Sequence, residues 1–204
     1  MRNGCVRWAG VILSGGASSR MGSPKALLTL PGSGETFLER IYRTMCEGGC
    51  GVVVCVAGCH ADKIAAQLPE GLFLVRNVHW QEGQLSSLKA ALKAVLSWAP
   101  DAVAVHLIDQ PLIEPSDVRG VLLGASSETS GGVAIASYEG ERGHPIALSG
   151  KLAEAVAEDG TCSNLREALQ KLCPSPLLVA CSPGSVQSAN TPEELAAMLN
   201  LREF

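Results

Sequence analysis

The sequence predicts an α/β fold of three layers, a mostly parallel central sheet with helices on both faces, and three observations carry that prediction. Seven short apolar runs bounded by turn residues punctuate the chain, at Ala9 to Leu13, Val52 to Ala57, Leu72 to Val75, Ala102 to Ile108, Val133 to Ala136, Ile146 to Leu148 and Leu177 to Ala180. Runs of this length and composition read as buried strands. Stretches of helical spacing lie between them. Hydrophobic residues make up 47% of the chain but aromatics only 4%, so the core is built from Leu, Val, Ile and Ala, which suits helices packed on buried strands.

Taken in order, the strand Ala9 to Leu13 runs into a glycine-rich loop, after which Phe37, Leu38, Ile41, Tyr42 and Met45 fall on one helical face. Two strands follow. Leu85, Leu88, Leu92, Val95 and Leu96 then mark a second amphipathic helix ahead of the strand Ala102 to Ile108. Later helices are marked by Glu114-Pro115-Ser116-Asp117, by the stretch from Ser163 to Leu172, and by Thr191-Pro192-Glu193-Glu194. In the last of these Thr191 caps, Pro192 suits the first turn and Glu194 completes a capping box. Strand and helix alternate, which implies parallel pairing with right-handed crossovers. With no internal repeat and no linker, residues 1–204 read as one domain.

Composition also narrows the function. A formal charge of -4 and an acidic balance remove the usual electrostatic motive for binding nucleic acid or an anionic membrane. No segment approaches the ~20 apolar residues of a membrane span. The run Trp8 to Leu13 behind Arg2 and Arg7 is too brief for a signal-peptide core, so a cytoplasmic location is expected. Cys46, Cys50, Cys55 and Cys59 recur at intervals of four or five without any C-x-x-C pair, and read as small buried hydrophobes rather than zinc ligands or disulfides.

The loop after the first strand carries the chemistry: Leu13-Ser14-Gly15-Gly16-Ala17-Ser18-Ser19-Arg20-Met21-Gly22-Ser23-Pro24-Lys25. Adjacent glycines permit positive φ and close backbone approach, so several N–H groups can converge on phosphate oxygens. Arg20 adds a guanidinium that binds two oxygens at once, and Lys25 a point charge. The loop sits at the carboxyl end of a strand, where open α/β sheets bind ligands. A Walker A loop is absent, because Gly22 is followed by Ser23 and Pro24 before Lys25, and the dinucleotide fingerprint G-x-G-x-x-G is absent too.

These residues resemble the signature loop of MobA-like nucleotidyltransferases, L-A-[AG]-G-x-S-x-R-M-G-x-x-K, with Ser14 in place of alanine. The resemblance implies a nucleotide-diphospho-sugar transferase-like, Rossmann-like fold. It also implies transfer of a nucleoside monophosphate from GTP or CTP to a phosphate-bearing acceptor, notably the pterin of the molybdenum cofactor, with Mg²⁺ as cofactor. Leu13, Ser14, Gly15, Gly16, Arg20, Met21, Gly22 and Lys25 are then the nucleotide loop.

Further segments fit the same resemblance. Asn77-x-x-Trp80-x-x-Gly83-Gln84-Leu85-Ser86-Ser87-Leu88 is similar to a segment of the cytidylyltransferase branch. Gly83 permits close approach, and Ser86 and Ser87 stand in a first helical turn whose free N–H groups suit a base or phosphate. His106-Leu107-Ile108-Asp109-Gln110-Pro111 delivers Asp109 from a strand end as the metal ligand, since Mg²⁺ takes one or two carboxylates beside substrate phosphates. Gly143-His144-Pro145 resembles an acceptor-side G-H-P segment. Asn190 opens an N-T-P-E-[DE]-L element whose first residue can approach the metal. Glu158 to Arg166 departs from the cytidylyl pattern.

The expected catalytic set is therefore Lys25, Asp109 and Arg20, acting by alignment and charge neutralisation during in-line attack at the α-phosphorus. Gly15-Gly16 looks guanylyl-like, whereas Asn77 to Arg166 favours CTP. The resemblance leaves two other roles open: a non-catalytic insertion factor whose partner is a molybdenum enzyme, and a transferase acting on sugar or polyol phosphates.

Overall fold

The computed structural model describes residues 6–16, 23–127, 131–173, 175–191 and 194–196. Seven strands form one sheet: β1 Trp8–Ser14, β2 Cys50–Ala57, β3 Phe73–Arg76, β4 Ala102–Leu107, β5 Val133–Tyr138, β6 Glu141–Ser149 and β7 Leu177–Ala180. Their spatial order is β3-β2-β1-β4-β6-β5-β7. β1 pairs in parallel with both β2 and β4, β2 with β3, and β5 with β7.

Only β6 runs the other way, antiparallel to β4 and β5. Strict alternation of strand and helix therefore fails where β5 turns directly into β6 through Glu139 and Gly140, both at positive φ, and again between β6 and β7, where two helices follow one another. Two such residues in succession give the turn whose twist matches a two-residue hairpin. β6 is also longer than the apolar run Ile146 to Leu148, because its first half carries polar residues at the cavity edge of the sheet.

Helices α1 Phe37–Glu47, α2 Ala61–Ala65, α3 Gln84–Val95, α4 Pro115–Ala125, α5 Gly150–Glu158 and α6 Leu165–Leu172 cover the sheet. Alternation along β1 divides the core. Ile12 faces one layer with Phe37, Leu38, Ile41 and Met45 of α1 and Val118, Val121 and Leu122 of α4. Val11 and Leu13 face the other, with Leu85, Leu88 and Leu92 of α3 and Leu152 and Val156 of α5. This is the expected three-layer arrangement, since successive strand residues point to opposite faces.

Helix starts follow local rules. Thr36 and Glu39 cap α1 reciprocally, with Thr36 N–H donating to Glu39 Oε2 at 2.7 Å and Glu39 N–H to Thr36 Oγ1 at 3.1 Å. At 190–194, Thr191 Oγ1 accepts the Glu194 N–H as expected (3.2 Å), but the Glu194 carboxylate takes the N–H of Asn190 rather than of Thr191, at 2.7 Å. α5 was not marked by the apolar spacing, because its nine residues present only Leu152 and Val156 as large buried side chains between alanines. Among the described residues no helix is long and apolar enough to cross a membrane.

Candidate active site

β1 and β4 are neighbours in parallel register up to Leu13 and Leu107, so the chain that leaves each strand does so at the same edge. A cavity of about 460 Å³ opens there. Two clusters of polar residues meet in it.

The first cluster joins three distant parts of the chain. Pro24 ends the loop, and a single 3-10 turn Lys25–Leu27 is pinned by Ala26, which is fully buried. With Ala26 in the core, Lys25 turns into the cavity. Its Nζ donates to Asp109 Oδ2 at 3.1 Å and to Asn190 Oδ1 at 2.8 Å. Asp109 follows β4 by two residues, and the intervening Ile108 N–H donates to the Leu13 carbonyl at 3.1 Å, which locks the exit of β4 to that of β1. The Ala189 N–H donates to the Asp109 carbonyl at 2.8 Å and so places Asn190 beside it. The structure thus brings Asn190, expected to approach the metal, and Asp109 to the same Lys25 Nζ.

Asp109 Oδ1 is buried and has no hydrogen-bond partner among the described residues. An orphaned carboxylate oxygen next to a side-chain amide oxygen is a hard donor pair, the kind a divalent cation with remaining water and phosphate ligands accepts. Among the described residues no group of three His, Cys, Asp or Glu side chains gathers into a cage. Mg²⁺ fits residues of this type, because it rarely takes an all-protein shell.

The second cluster is uncharged. Ser14, Gly15, Trp80, Gln81, Gly83, Gln84 and Ser87 line it. Gly83 has φ 105°, which only glycine adopts freely, and it opens α3. Gly15 is fixed by crowding: a Cβ there would stand 2.7 Å from Ser87 Oγ. Neither Gly15 nor Gly16 has the positive φ expected of them. Gly15 makes room for Ser87, and Gly16 has open space around it.

Asn77 does not line the cavity; it organises it. It is buried, and its Nδ2 donates to both Ser86 Oγ and Ser87 Oγ at 3.0 Å while its Oδ1 accepts the His79 N–H at 3.0 Å. The two serines then part company. Ser86 spends its hydroxyl proton on the carbonyls of Gly83 (2.8 Å) and His79 (2.9 Å). Ser87 lines the cavity and meets no acceptor among the described residues, so its proton faces the cavity.

His144, expected on the acceptor side, is not among the cavity-lining residues. It stands against His106, ring centroids 6.4 Å apart and edge to face. Burial pushes His144 down to about 4, opposed by the Asp109 carboxylate, and pushes His106 down to about 3. Both imidazoles are neutral at pH 7. His106 Nε2–H donates to the Gln110 carbonyl at 2.8 Å.

Of the expected residues, Leu13, Ser14, Gly15, Gly16, Lys25, Gly83, Ser87, Asp109 and Asn190 line one cavity. Arg20, Met21 and Gly22 lie outside the described residues. Gln81 and Gln84 were missed; two polar side chains flanking Gly83 at a helix start were the available signal. The cysteines are free where described; burial raises Cys50 and Cys55 to about 12, so these two thiols are inert packing, whereas Cys46 and Cys59 are exposed rather than buried as expected.

A mostly parallel α/β sheet with a cationic and carboxylate cluster at its carboxyl edge defines an α/β protein of the kind that binds its ligands at the strand ends. Residues 10–180 match the model of the MobA-like NTP transferase domain, and the chain belongs to that family. It is 35% identical over 162 residues to nicotine blue oxidoreductase of Paenarthrobacter nicotinovorans, covering 75% of each chain. It is 36% identical over 106 residues to a probable molybdenum cofactor guanylyltransferase of Opitutus terrae, covering 52% of this chain and 50% of that protein. A nucleotidyl transferase from Methanothermobacter thermautotroptrophicus shares the fold, with a TM-score of 0.78 at 21% identity over 96% of this chain and 97% of that one.

Proposed function

We propose that this chain is a cytoplasmic, single-domain enzyme that moves a nucleoside monophosphate from a nucleoside triphosphate to a phosphate-bearing acceptor, molybdopterin or molybdenum cofactor, and releases pyrophosphate. The observation that carries the reading is the convergence of Lys25, Asp109 and Asn190 in the cavity that the Gly15-Gly16 loop also lines. The relatives named for molybdenum cofactor support the acceptor.

An acceptor phosphate oxygen attacks the α-phosphorus in line, the bond to the bridging oxygen breaks, and pyrophosphate leaves with the electron pair. No covalent enzyme nucleophile is needed. Without nucleotide, the Lys25 ammonium offsets the Asp109 charge; with nucleotide, it turns to the transferring phosphate while Asp109 and Asn190 supply oxygens for Mg²⁺. Bound there, Mg²⁺ would neutralise phosphate charge and polarise the α-phosphoryl group. Arg20 takes the β- and γ-phosphates. His144, neutral at pH 7, serves the acceptor as a hydrogen-bonding group rather than as a charge.

The uncharged cluster takes the base, and CTP is the favoured substrate. Gly15 is explained by its contact with the Ser87 hydroxyl, so the glycine pair no longer speaks for guanine, while the Asn77 to Leu88 segment still speaks for cytosine. GTP is the second reading, supported by the relatives named guanylyltransferase.

Pyrophosphate release with each of the four NTPs, with and without a pterin phosphate, tests both points. The expected result is CTP-dependent release that Asp109→Ala lowers at least ~100-fold; full Mg²⁺-dependent release by that variant would remove Asp109 from the site. The same assay run with a reduced nicotinamide dinucleotide covers the oxidoreductase likeness. Dinucleotide consumption without pyrophosphate release would replace the proposal.

A further inference from the structure

β7 is an edge strand, separated from β4 by both β5 and β6. The segment that follows it, Cys181 to Asn190, nevertheless ends beside Asp109 and delivers Asn190 Oδ1 to Lys25 Nζ. It must cross the carboxyl edge of the sheet to do so, and apart from one 3-10 turn at Pro183–Ser185 no regular element guides it. Specific contacts do. Gly184 passes so close under Leu112 that a Cβ would overlap the Leu112 carbonyl oxygen, and a Cβ at Gly143 would overlap the carbonyl of Ser185. The Ala189 N–H closes the far end on the Asp109 carbonyl.

The near end is held differently. Asp117, in the first turn of α4, is 4% exposed. Its Oδ1 accepts the Ser182 N–H at 2.8 Å, and its Oδ2 accepts both the Ser182 hydroxyl at 2.6 Å and the Glu114 N–H at 2.9 Å. The Glu114 bond is ordinary helix capping. The two bonds to Ser182 are not needed by the helix, and a buried carboxylate with charge-assisted donors is a firm anchor. Ser182 in turn holds Ser185, whose N–H and hydroxyl donate to the Ser182 carbonyl at 3.0 and 2.7 Å.

We propose that Asp117 and Ser182 form a clamp that positions the crossing segment, and through it Asn190, against Lys25 and Asp109. Neither residue lines the cavity; they are positioning residues. With the clamp intact, only the chain from Ser185 to Ala189 has freedom between two fixed points. With it released, the near end is left to the Cys181 N–H bond to the Ser137 carbonyl at 2.9 Å and to the packing of Gly184 and Ser185, and the entropy of ordering Asn190 rises. Lys25 then loses one of its partners for part of the time. The significance for nucleotide transfer rests on the function proposed above; the effect on Lys25 does not.

The test is competitive acetylation of lysines in the full chain, without nucleotide, read by mass spectrometry against the exposed Lys63 and Lys151 as internal standards. Ser182→Ala, which keeps the Ser182 N–H bond to Asp117 Oδ1, is expected to raise Lys25 labelling roughly threefold, a part of what one hydrogen bond to a charged group is worth. Asp117→Asn should do the same, the double variant should add little, and Ser182→Thr should stay near the unmodified protein. Unchanged Lys25 labelling in Ser182→Ala overturns the proposal. So does an equal rise at Lys89, whose ammonium bonds the Asp159 carbonyl in the opposite helical layer, because that would report general loosening. So does Ser182→Thr labelling like Ser182→Ala. Pyrophosphate release by the unmodified chain reports on the transferase reading separately: a chain that releases none and still shows this labelling pattern keeps the clamp and loses that reading.

Discussion

Ser86 and Ser87 are adjacent, alike in chemistry and bonded to the same amide, yet their substitution by alanine should separate folding from binding. In Ser86→Ala the carbonyls of His79 and Gly83 lose their donor at 2.9 and 2.8 Å and one Asn77 N–H loses its acceptor. The two carbonyls stand at exposed positions, so water replaces part of the loss. A net cost of about 1 kcal/mol lowers Tm by roughly 2–4 °C in a chain of this size. Ser87→Ala orphans the other Asn77 N–H, in a buried position, and costs a similar ~1 kcal/mol of stability. It also removes the only hydroxyl proton of the pair that faces the cavity, a neutral hydrogen bond whose loss raises KM for the nucleotide about three- to tenfold. The assay is thermal unfolding of both variants beside their KM for CTP, or its Kd by calorimetry. Equal KM values in the two variants, or an unchanged KM in Ser87→Ala, would refute the division of labour read from the hydrogen bonds.

Two further outcomes follow from the same geometry. Gly15→Ala puts a methyl 2.7 Å from Ser87 Oγ, so it should raise the nucleotide KM by itself but much less in a Ser87→Ala background; a double-mutant cycle with no coupling would show that the crowding is not what fixes Gly15. Burial depresses His106 and His144 to about 3 and about 4, below the ~6.5 of the unfolded chain. In that window the unfolded state binds the extra protons, so stability is fully present above about pH 6.5 and is lost as pH falls toward 4. Each histidine should cost on the order of 2 kcal/mol between pH 6.5 and 5. Urea unfolding at pH 7 and pH 5 measures this, and a His106→Gln variant whose pH slope equals that of the unmodified protein would contradict it.

The parts of this molecule legible from sequence are those whose signal is local. Apolar runs bounded by turns located seven strands; burial on both faces accounts for the runs in β1, β2, β4 and β5, whereas the edge strands β3 and β7 leave Phe73, Leu177 and Leu178 exposed. β6 was cut short because Glu141, Arg142 and His144 are polar, so nothing in their sequence marks them as strand. Its reversed direction was invisible because apolar runs carry no sign. Lys25 and Asp109 were recognisable because each follows a strand end in a spacing with chemical meaning, and Asn190 only through the resemblance of Asn190 to Leu195 to the family's N-T-P-E-[DE]-L element. Asn77 was legible as a residue of interest but not in its role, since supporting two hydroxyls at once is a relation among three side chains that no spacing encodes. Asp117 was hidden more completely. In sequence it is the expected acidic residue in the first turn of a helix, and that reading is correct as far as it goes, since its Oδ2 does accept the Glu114 N–H. Its other oxygen meets Ser182, 65 residues on. A capping carboxylate exposed to water would need no second partner; one that is buried must find donors for its remaining lone pairs. The burial comes from the segment that crosses over it, and the same segment supplies the donors, so the covering and the clamp are one feature.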